Sequence, residues 1–253
     1  FYPLHAYVCE SCYLVQLDAF QRPEEIFSEY AYFSSYSETW LKHAERYTER
    51  MIERFGLDAG RQVIEIASND GYLLKYFKQR GIPVLGIEPA ANVAKVAEVA
   101  GIPTLTKFFG AQTARELVGA GKQADLLLGN NVLAHVPDLN DFVHGLKILL
   151  KPQGVITMEF PHLGQLMANN QFDTIYHEHF SYFSFYTAER IFAKHGLTLF
   201  DVEELPTHGG SLRIYACHAD DSSKPVEDSV KVLRGRELAD GVTDIFKYAG
   251  FQQ

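Results

Sequence analysis

The sequence predicts an α/β protein in which a parallel sheet is covered by helices and ends in an antiparallel hairpin. After Gly56, short apolar runs alternate with helix-like segments, which is typical of a parallel sheet with helices on both faces. Near the end, two strand-like segments are joined by a short His-Gly-Gly turn, as in a hairpin. The 253 residues are 47% hydrophobic and 22% charged, which suits one or two globular domains.

The strand-like runs of the alternating region are rich in Val, Ile and Leu. They cover residues 62–67, 83–88, 124–130 and 154–160. Helices are predicted over residues 71–80, 90–100, 111–119 and 139–150. A helix over 187–195 then precedes the two hairpin strands, 197–205 and 211–218.

The segment before the sheet is predicted to be one helix from Arg22 to Phe55. Pro23 suits a helix N-terminus, and neither Gly nor Pro interrupts the residues that follow. Upstream, Cys9-x-x-Cys12 is half of a zinc ribbon, in which two such pairs hold a tetrahedral metal ion. A redox pair is the alternative, although the βαβ context of such a pair is missing. The predicted metal ligands are Cys9 and Cys12, in a site expected to be incomplete.

Charge and composition narrow the expected partners and location. The formal net charge of -9 argues against nucleic acid as a main partner, because a phosphate backbone is bound through clustered Lys and Arg. No apolar run has the length needed to cross a bilayer. Three cysteines make no disulfide framework, so a reducing cytoplasm is the expected location. The protein is expected to be a monomer. Both ends look cut, because the sequence opens on Phe1 and stops after an amphipathic stretch; trimming of disordered tails is the alternative.

The turn from Ser68 to Gly71 is the predicted cofactor site. It follows the first strand of the alternating region, where open α/β sheets bind ligands, and it presents backbone N–H groups and a helix N-terminus. At the end of the next strand, Glu88 is placed to accept hydrogen bonds from a ribose diol. Ala67 and Asn69 stand where a dinucleotide motif would have glycines, and the sequence has no Gly-Lys-Ser/Thr of a P-loop.

This arrangement resembles the class I S-adenosylmethionine-dependent methyltransferases, except that "ASND" replaces their usual glycine-rich turn. Glu65 and Gly71 match the first motif of these enzymes, and Glu88 matches their ribose-binding acid. The resemblance implies that the cofactor is held by Glu65, Ser68, Asn69, Asp70, Gly71, Glu88, Pro89, Asn130 and Asn131. A Rossmann-like domain for another nucleotide is the alternative, and the two asparagines could be ordinary turn residues.

The stretch "QFDTIYHEHFSYFS", residues 171–184, gathers two histidines, a glutamate and two tyrosines. It lies within an insertion, residues 161–186, that follows the carboxyl end of the strand 154–160. Loops at that edge of a sheet are common sites of function. The insertion is therefore expected to overhang the cofactor pocket and to contact the substrate.

Five motifs, "SNDGYLL", "GIEPA", "GNNVLAHVPDLNDF", "YHEHFSYFS" and "HGGSLR", resemble those of the sugar C-methyltransferases. Members of this family methylate C3 of a nucleotide-linked 4-keto-deoxysugar. The resemblance implies zinc and S-adenosylmethionine as cofactors. It divides the chain into a zinc-module remnant (1–20), a helical segment contributing to the active site (21–56), a methyltransferase core with the insertion (57–218), and the start of a C-terminal domain (219–253).

The chemistry of carbon methylation suits the residues of the insertion. A carbon beside a ketone becomes nucleophilic after it loses a proton, which requires a base and a donor that stabilises the enolate. Histidine titrates near neutrality and suits the base. By resemblance His179 is the base, and the other implied catalytic residues are Tyr176, Glu178, His135 and Tyr30.

Several alternatives stay open at this level. Tyr32 could take the place of Tyr30, and His135 could cap the next helix. His177 is as consistent with a structural as with a catalytic role, and His-x-His could bind a metal, although no third ligand follows at a recognisable spacing. The protein could also be an O- or N-methyltransferase of a small metabolite, or a non-catalytic nucleotide-binding domain.

Overall fold

The computed structural model describes residues 2–251, which form two compact units. The first unit comprises Pro23–Gly129 and His144–Val155. The second comprises residues 2–22, Asn130–Val143 and residues 156–251. Within the described residues, no helix is both long enough and apolar enough to cross a membrane.

The elements alternate between strands and helices through most of the chain. The strands of the described residues are β1 (Ala6–Val8), β2 (Val15–Leu17), β3 (Val63–Ile66), β4 (Val84–Ile87), β5 (Thr104–Leu105), β6 (Ala124–Asn130), β7 (Leu150–Pro161), β8 (Ser181–Tyr182), β9 (Leu197–Leu205) and β10 (Ser211–His218). The α-helices are α1 (Pro23–Phe27), α2 (Glu38–Phe55), α3 (Leu74–Gln79), α4 (Ala91–Val99), α5 (Ala111–Gly119), α6 (Leu139–Leu149), α7 (Leu163–Ala168), α8 (Phe185–Lys194), α9 (Asp228–Ala239) and α10 (Ile245–Gly250).

Seven strands form one sheet in the order β5-β4-β3-β6-β7-β10-β9. Strand β3 pairs in parallel with β4 and β6, and β4 pairs in parallel with β5. The hairpin strand β10 runs antiparallel to β7 and β9. This order confirms the predicted α/β sheet with a terminal antiparallel hairpin. The edge strand β5 was not predicted, because two residues are too few to show a periodic pattern.

The predicted single helix from Arg22 to Phe55 is wrong. The structure has two helices, α1 and α2, separated by residues 28–37. Backbone N–H groups of this connection donate to side chains of the turn after β3, so they are not available for a helical ladder. Ser37 then starts α2, because its hydroxyl accepts a hydrogen bond from Trp40 N at 3.2 Å.

A small second sheet ties the insertion to the N-terminal hairpin in the second unit. Strand β2 pairs with β1 on one side and with β8, from the insertion, on the other. Helix α7 also lies in the insertion and was not predicted. Its apolar side packs into a cluster whose buried members are Val15, Leu17, Leu163, Leu166 and Tyr182. The stretch 171–184 is therefore anchored by packing at both of its sides.

One buried carboxylate of α9, that of Glu237, links this helix to the start of α8. Glu237 accepts hydrogen bonds from the backbone N–H groups of Phe185 and Tyr186, at 2.7 and 2.8 Å, and thereby caps the start of α8. It also bonds His162 Nε2 at 2.7 Å. The domain boundary predicted at residue 219 stays a prediction. The outermost predicted ranges include residues 1, 252 and 253, which lie outside the described residues.

Candidate active site

The turn after β3 is tight although its sequence is poor in glycine. Ala67 and Asn69 adopt positive φ angles of 54° and 50°, a conformation that asparagine tolerates better than most residues. Gly71 has a φ of 77°, and a Cβ there would lie 2.9 Å from Ile102 Cγ1. The turn therefore needs glycine at position 71, while Asn69 takes the place of a glycine earlier in the loop.

Glu88, at the end of β4, braces two neighbouring loops. One carboxylate oxygen accepts a hydrogen bond from Asn69 N at 2.9 Å, and the other accepts one from Ala90 N at 2.9 Å. Burial raises the pKa of Glu88, although the two backbone N–H groups oppose the shift. Each carboxylate oxygen has a second acceptor site. Glu88 can therefore hold the loops and still accept hydrogen bonds from a ribose diol.

Four of the buried side-chain polar atoms without a hydrogen-bond partner in residues 2–251 lie at the end of β3. These four are both carboxylate oxygens of Glu65, the Ser68 hydroxyl and Oδ1 of Asp70. Burial raises the pKa of Glu65 well above its usual value, and the charges of Glu88 and Asp70 raise it further, which the nearby Tyr72 hydroxyl only partly offsets. Unpaired acceptors and crowded carboxylates fit a ligand that brings N–H and O–H donors and positive charge.

S-adenosylmethionine has these properties, because it carries a sulfonium, an ammonium group and ribose hydroxyls. The residues of the first unit therefore fit the predicted cofactor. In the second unit, Asn130 and Asn131 end β6. Both side-chain polar atoms of Asn130, and Oδ1 of Asn131, are buried and unpaired among the described residues. A turn asparagine normally uses its side chain within the turn, so the unpaired amides favour contact with a ligand.

His179 is oriented by the backbone of its own segment. Its Nδ1 bonds the Thr174 carbonyl oxygen at 2.9 Å, and since that oxygen can only accept, Nδ1 carries the proton. The basic nitrogen is then Nε2, which lies 3.0 Å from the Tyr176 hydroxyl. Burial lowers the pKa of His179, and the charge of His208 contributes to the shift, while the Thr174 hydrogen bond opposes it. His179 is therefore a neutral base at neutral pH.

His135 lies beside His179 in the second unit. The two imidazole centroids are 4.8 Å apart, and the rings meet edge to face. His135 Nδ1 donates to the Glu178 carbonyl oxygen at 3.0 Å. Burial, with a contribution from His179, lowers the pKa of His135 to about 3. Main-chain carbonyl groups orient both imidazoles, so the Glu178 carboxylate is not needed for that task.

Tyr176 is placed to act as a hydrogen-bond donor. Its ring centroid is 4.2 Å from that of His179. Burial, and then the charge of Glu178, raise the pKa of Tyr176. A tyrosine with a raised pKa keeps its proton at neutral pH, so this hydroxyl can donate to a developing oxyanion.

The remaining residues of the stretch separate into two groups. His177 points away from the cluster, toward the N-terminal segment, since its Nε2 bonds the Pro3 carbonyl oxygen at 3.0 Å. Tyr182, in contrast, lies with its ring centroid 6.0 Å from that of His179. The structure thus separates two histidines that the sequence places two positions apart.

Tyr30 belongs to the first unit, where its main chain bonds Asn92.

His208 is the residue that the sequence analysis missed. It lies in the "HGGSLR" motif with a φ of 51°, a strained angle for a residue other than glycine. Its charge contributes to the lowered pKa of His179. The signal in the sequence was a histidine beside two glycines in the "HGGSLR" motif.

Cys9 and Cys12 lie in the turn between β1 and β2. The turn is closed by hydrogen bonds from Cys9 N to Leu14 O at 3.0 Å and from Tyr13 N to Cys9 O at 2.8 Å. Backbone N–H groups of Cys12 and Ser11 lower the pKa of Cys9, whereas burial raises that of Cys12. No cluster of three or more His, Cys, Asp or Glu in residues 2–251 is arranged to hold a metal ion.

The fold and the cofactor loops define a class I S-adenosylmethionine-dependent methyltransferase. The PH0226 protein from Pyrococcus horikoshii OT3 superposes with a TM-score of 0.60 at 15% identity, covering 79% of this chain and 99% of that one. Magnesium protoporphyrin IX methyltransferase from Synechocystis PCC 6803, solved with bound S-adenosylmethionine, superposes with a TM-score of 0.53 at 14% identity, covering 70% of this chain and 79% of that one. At such identities the likeness shows the fold.

Sequence comparison identifies the family. A methyltransferase domain model matches residues 40–202, a zinc-binding domain model matches residues 1–27, and a C-methyltransferase C-terminal domain model matches residues 206–253. C-methyltransferase NovU from Streptomyces niveus is 36% identical over 99% of this chain, which spans 59% of the length of NovU. The chain therefore belongs to the methyltransferase domain family, as the sequence predicts, and it is similar to a C-methyltransferase along nearly its whole length.

Proposed function

We propose that this protein methylates C3 of a nucleotide-linked 4-keto-deoxysugar. One observation carries the proposal: the neutral His179 directs its basic nitrogen toward a tyrosine hydroxyl 3.0 Å away. Removing a proton beside a ketone requires such a base together with a donor for the enolate oxygen. A ketosugar is the substrate class that the resemblance implies, and carbon methylation is the chemistry that uses both groups.

The catalytic cluster performs the proton transfer in this proposal. His179 Nε2 takes the proton from C3, and the electron pair of the C3–H bond moves into the enolate, whose charge lies mainly on the C4 oxygen. The protonated Nε2 can no longer accept a hydrogen bond from Tyr176, so that hydroxyl donates to the enolate oxygen instead. Tyr30 is the proposed second donor. His179 later returns its proton to solvent.

The neighbouring groups keep the base in its working state. His135 stays neutral, so it adds no charge that would oppose protonation of His179. The His135 ring packs edge to face against His179, and its hydrogen bond to the Glu178 carbonyl oxygen fixes its position. S-adenosylmethionine, when held by the cofactor loops, supplies the electrophilic methyl group. The residues proposed to hold it are Glu65, Ser68, Asn69, Asp70, Gly71, Glu88, Pro89, Asn130 and Asn131.

A panel assay tests the function. The protein is incubated with S-adenosylmethionine and either nucleotide 4-ketosugars or small phenols and amines, and products are read by mass spectrometry. A gain of one methyl group on the sugar ring carbon supports the proposal. Methylation of phenols or amines alone would make the protein an O- or N-methyltransferase. Cofactor binding without any methyl transfer would leave a nucleotide-binding domain.

Glu88→Ala should weaken the binding of S-adenosylmethionine by at least about tenfold, because a hydrogen bond to a charged group contributes about 1.5–3 kcal/mol. The variant also removes the partner of Asn69 N and Ala90 N, which loosens both loops. Glu88→Gln keeps one acceptor oxygen and the side-chain shape, so its affinity should lie between those of wild type and Glu88→Ala. Calorimetry measures the affinities, and equal affinities for wild type and Glu88→Ala would contradict the assignment.

Cys9 and Cys12 are proposed as two ligands of a structural zinc site. With these two thiolates alone the chain should hold zinc weakly, because zinc binding in structural sites draws on a full set of ligands. Elemental analysis of protein dialysed against a mild chelator should therefore find well below one zinc per chain. One tightly held zinc per chain would show that other ligands complete the site.

A further inference from the structure

Residues 28–35, within the connection between α1 and α2, are termed the strap. The strap carries Tyr30 and lies in the first unit, as do the proposed cofactor turn, 68–71, and the segment 88–92, in which the loop after β4 runs into α4. Main-chain groups of the strap bond side chains of both loops. The strap is thus an irregular segment whose position is set by the residues proposed to surround the cofactor.

Asn92, in the first turn of α4, fastens the strap at Tyr30. Its Oδ1 accepts a hydrogen bond from Tyr30 N at 3.0 Å, and its Nδ2 donates to Tyr30 O at 2.7 Å. One side-chain amide therefore satisfies both main-chain polar groups of a residue 62 positions away. Two bonds to one peptide fix its orientation as well as its location. Ala91 N adds a third bond, to Ser28 O at 3.3 Å.

The other end of the strap is fastened to the turn after β3. Asn69 Oδ1 accepts from Ser34 N at 2.9 Å, and its Nδ2 donates to Tyr32 O at 3.0 Å. Asp70 Oδ2 accepts from Ser35 N at 3.1 Å. These bonds give a physical reason for "ASND" in place of a glycine-rich turn, since glycines would remove the side chains that bond this end of the strap.

The two loops are themselves joined through Glu88, which accepts from Asn69 N in one loop and from Ala90 N in the other. A ligand that bonds Glu88 therefore acts on both attachment points of the strap. Ligand binding shifts a conformational equilibrium when the ligand prefers one state. A cofactor that needs both loops in place will prefer the state in which the strap is fastened.

We propose that Asn92 is a positioning residue that couples binding of S-adenosylmethionine to the placement of Tyr30. The strap bonds break when the loops separate and re-form when the cofactor holds the loops together. The role of Tyr30 in catalysis rests on the proposed function, whereas the coupling concerns only the cofactor and the strap. Tyr30 would then be positioned to contact the substrate only after the cofactor has bound.

Hydrogen–deuterium exchange measures the coupling directly. In wild type, S-adenosylhomocysteine should slow exchange of the amides of residues 28–35, and that of Tyr30 in particular. Asn92→Ala should speed exchange of the Tyr30 amide by roughly tenfold or more, since its acceptor is lost, a change of about 1.4 kcal/mol. The affinity for S-adenosylhomocysteine, measured by calorimetry, should fall less than the exchange rate rises, so by less than about tenfold, because the coupling is reciprocal and only the unfastened fraction binds weakly.

Two further variants serve as controls. Asn92→Asp keeps an acceptor for Tyr30 N and loses the donor to Tyr30 O, so its exchange rate should lie between those of wild type and Asn92→Ala. Gln112→Ala removes an exposed amide that bonds Glu116 within α5 of the same unit. Strap exchange in Gln112→Ala should equal that of wild type. In a methylation assay, Asn92→Ala should lower kcat while the KM for S-adenosylmethionine stays near its wild-type value.

Strap exchange that is the same in wild type and Asn92→Ala would overturn the proposal. So would a wild-type strap that S-adenosylhomocysteine does not protect. A loss of affinity beyond about tenfold in Asn92→Ala would assign Asn92 to the cofactor site itself and would equally overturn it. None of the exchange or binding measurements requires a sugar, so the coupling can be confirmed even if the methylation assay finds another substrate.

Discussion

His179→Asn should abolish proton abstraction from C3 while binding of S-adenosylmethionine stays normal. In heavy water and without methyl donor, wild type should exchange the C3 hydrogen of a nucleotide 4-ketosugar for deuterium. Loss of a general base costs about 10²–10⁴-fold in rate, so His179→Asn should lower both exchange and methylation by that factor. Nuclear magnetic resonance follows the exchange, and calorimetry follows cofactor binding.

His177→Asn is the matched control for this experiment. It makes the same substitution two residues away, in a histidine that bonds the Pro3 carbonyl oxygen rather than the catalytic cluster. It should exchange C3 at a rate near that of wild type. Tyr176→Phe should slow exchange and methylation together by about 10²-fold, because the enolate loses a hydrogen bond. If His179→Asn exchanged C3 at the wild-type rate, the base would be another group, with His135 next in line.

Arg213→Met should lower the free energy of unfolding by about 3–5 kcal/mol, the usual cost of removing one partner of a buried ion pair. Arg213 is 3% exposed and donates to Glu159, which is fully buried, at 2.7 Å. A second nitrogen of Arg213 lies 3.3 Å from Glu203. Methionine fills similar space without charge. The lost stability therefore reports on buried carboxylates that no longer have a cationic partner, rather than on a cavity. Urea-induced unfolding measures it.

The same substitution at an exposed ion pair provides the comparison. Arg236 pairs with Glu204 on the surface of the second unit, and both side chains are nearly half exposed. Arg236→Met should cost less than about 1 kcal/mol, as exposed pairs do. Arg213→Met combined with Glu159→Leu should recover part of the lost stability, because the stranded charge is removed as well. Equal losses for Arg213→Met and Arg236→Met would contradict the prediction.

The buried ion pair also bears on the candidate site. Glu159 accepts a hydrogen bond from the Thr207 hydroxyl at 3.0 Å, immediately before the strained His208. Its main-chain oxygen accepts one from Asn131 N at 2.7 Å. The network at the end of β7 therefore holds Asn131, which is proposed to contact the cofactor, and the segment that carries His208. Weakening it should loosen His208 and Asn131 before the whole unit unfolds.

The methyltransferase family could be predicted from the sequence because the motifs are local. The positions of the strands of the seven-stranded sheet, apart from β5, and the antiparallel hairpin at its end follow from runs of apolar residues and the turns between them. The predicted hairpin strands, 197–205 and 211–218, coincide with β9 and β10. The stretch 171–184 points to proton transfer by its composition alone. These features depend on residues that are neighbours along the chain, so they can be read from a single sequence.

Local sequence determined the sheet, the cofactor turn and which residues are proposed as catalytic, whereas the folded chain decided the hydrogen-bond partners of those residues. Residues 28–37 contain neither Gly nor Pro, yet bonds to Asn69 and Asp70, 35 positions away, break the helix. The Thr174 carbonyl oxygen selects which nitrogen of His179 is basic. His177 is directed toward the N-terminal segment instead. In each case a polar partner distant in sequence, or a main-chain oxygen placed by folding, outweighs the local preference, because a buried hydrogen-bonding group must find a partner.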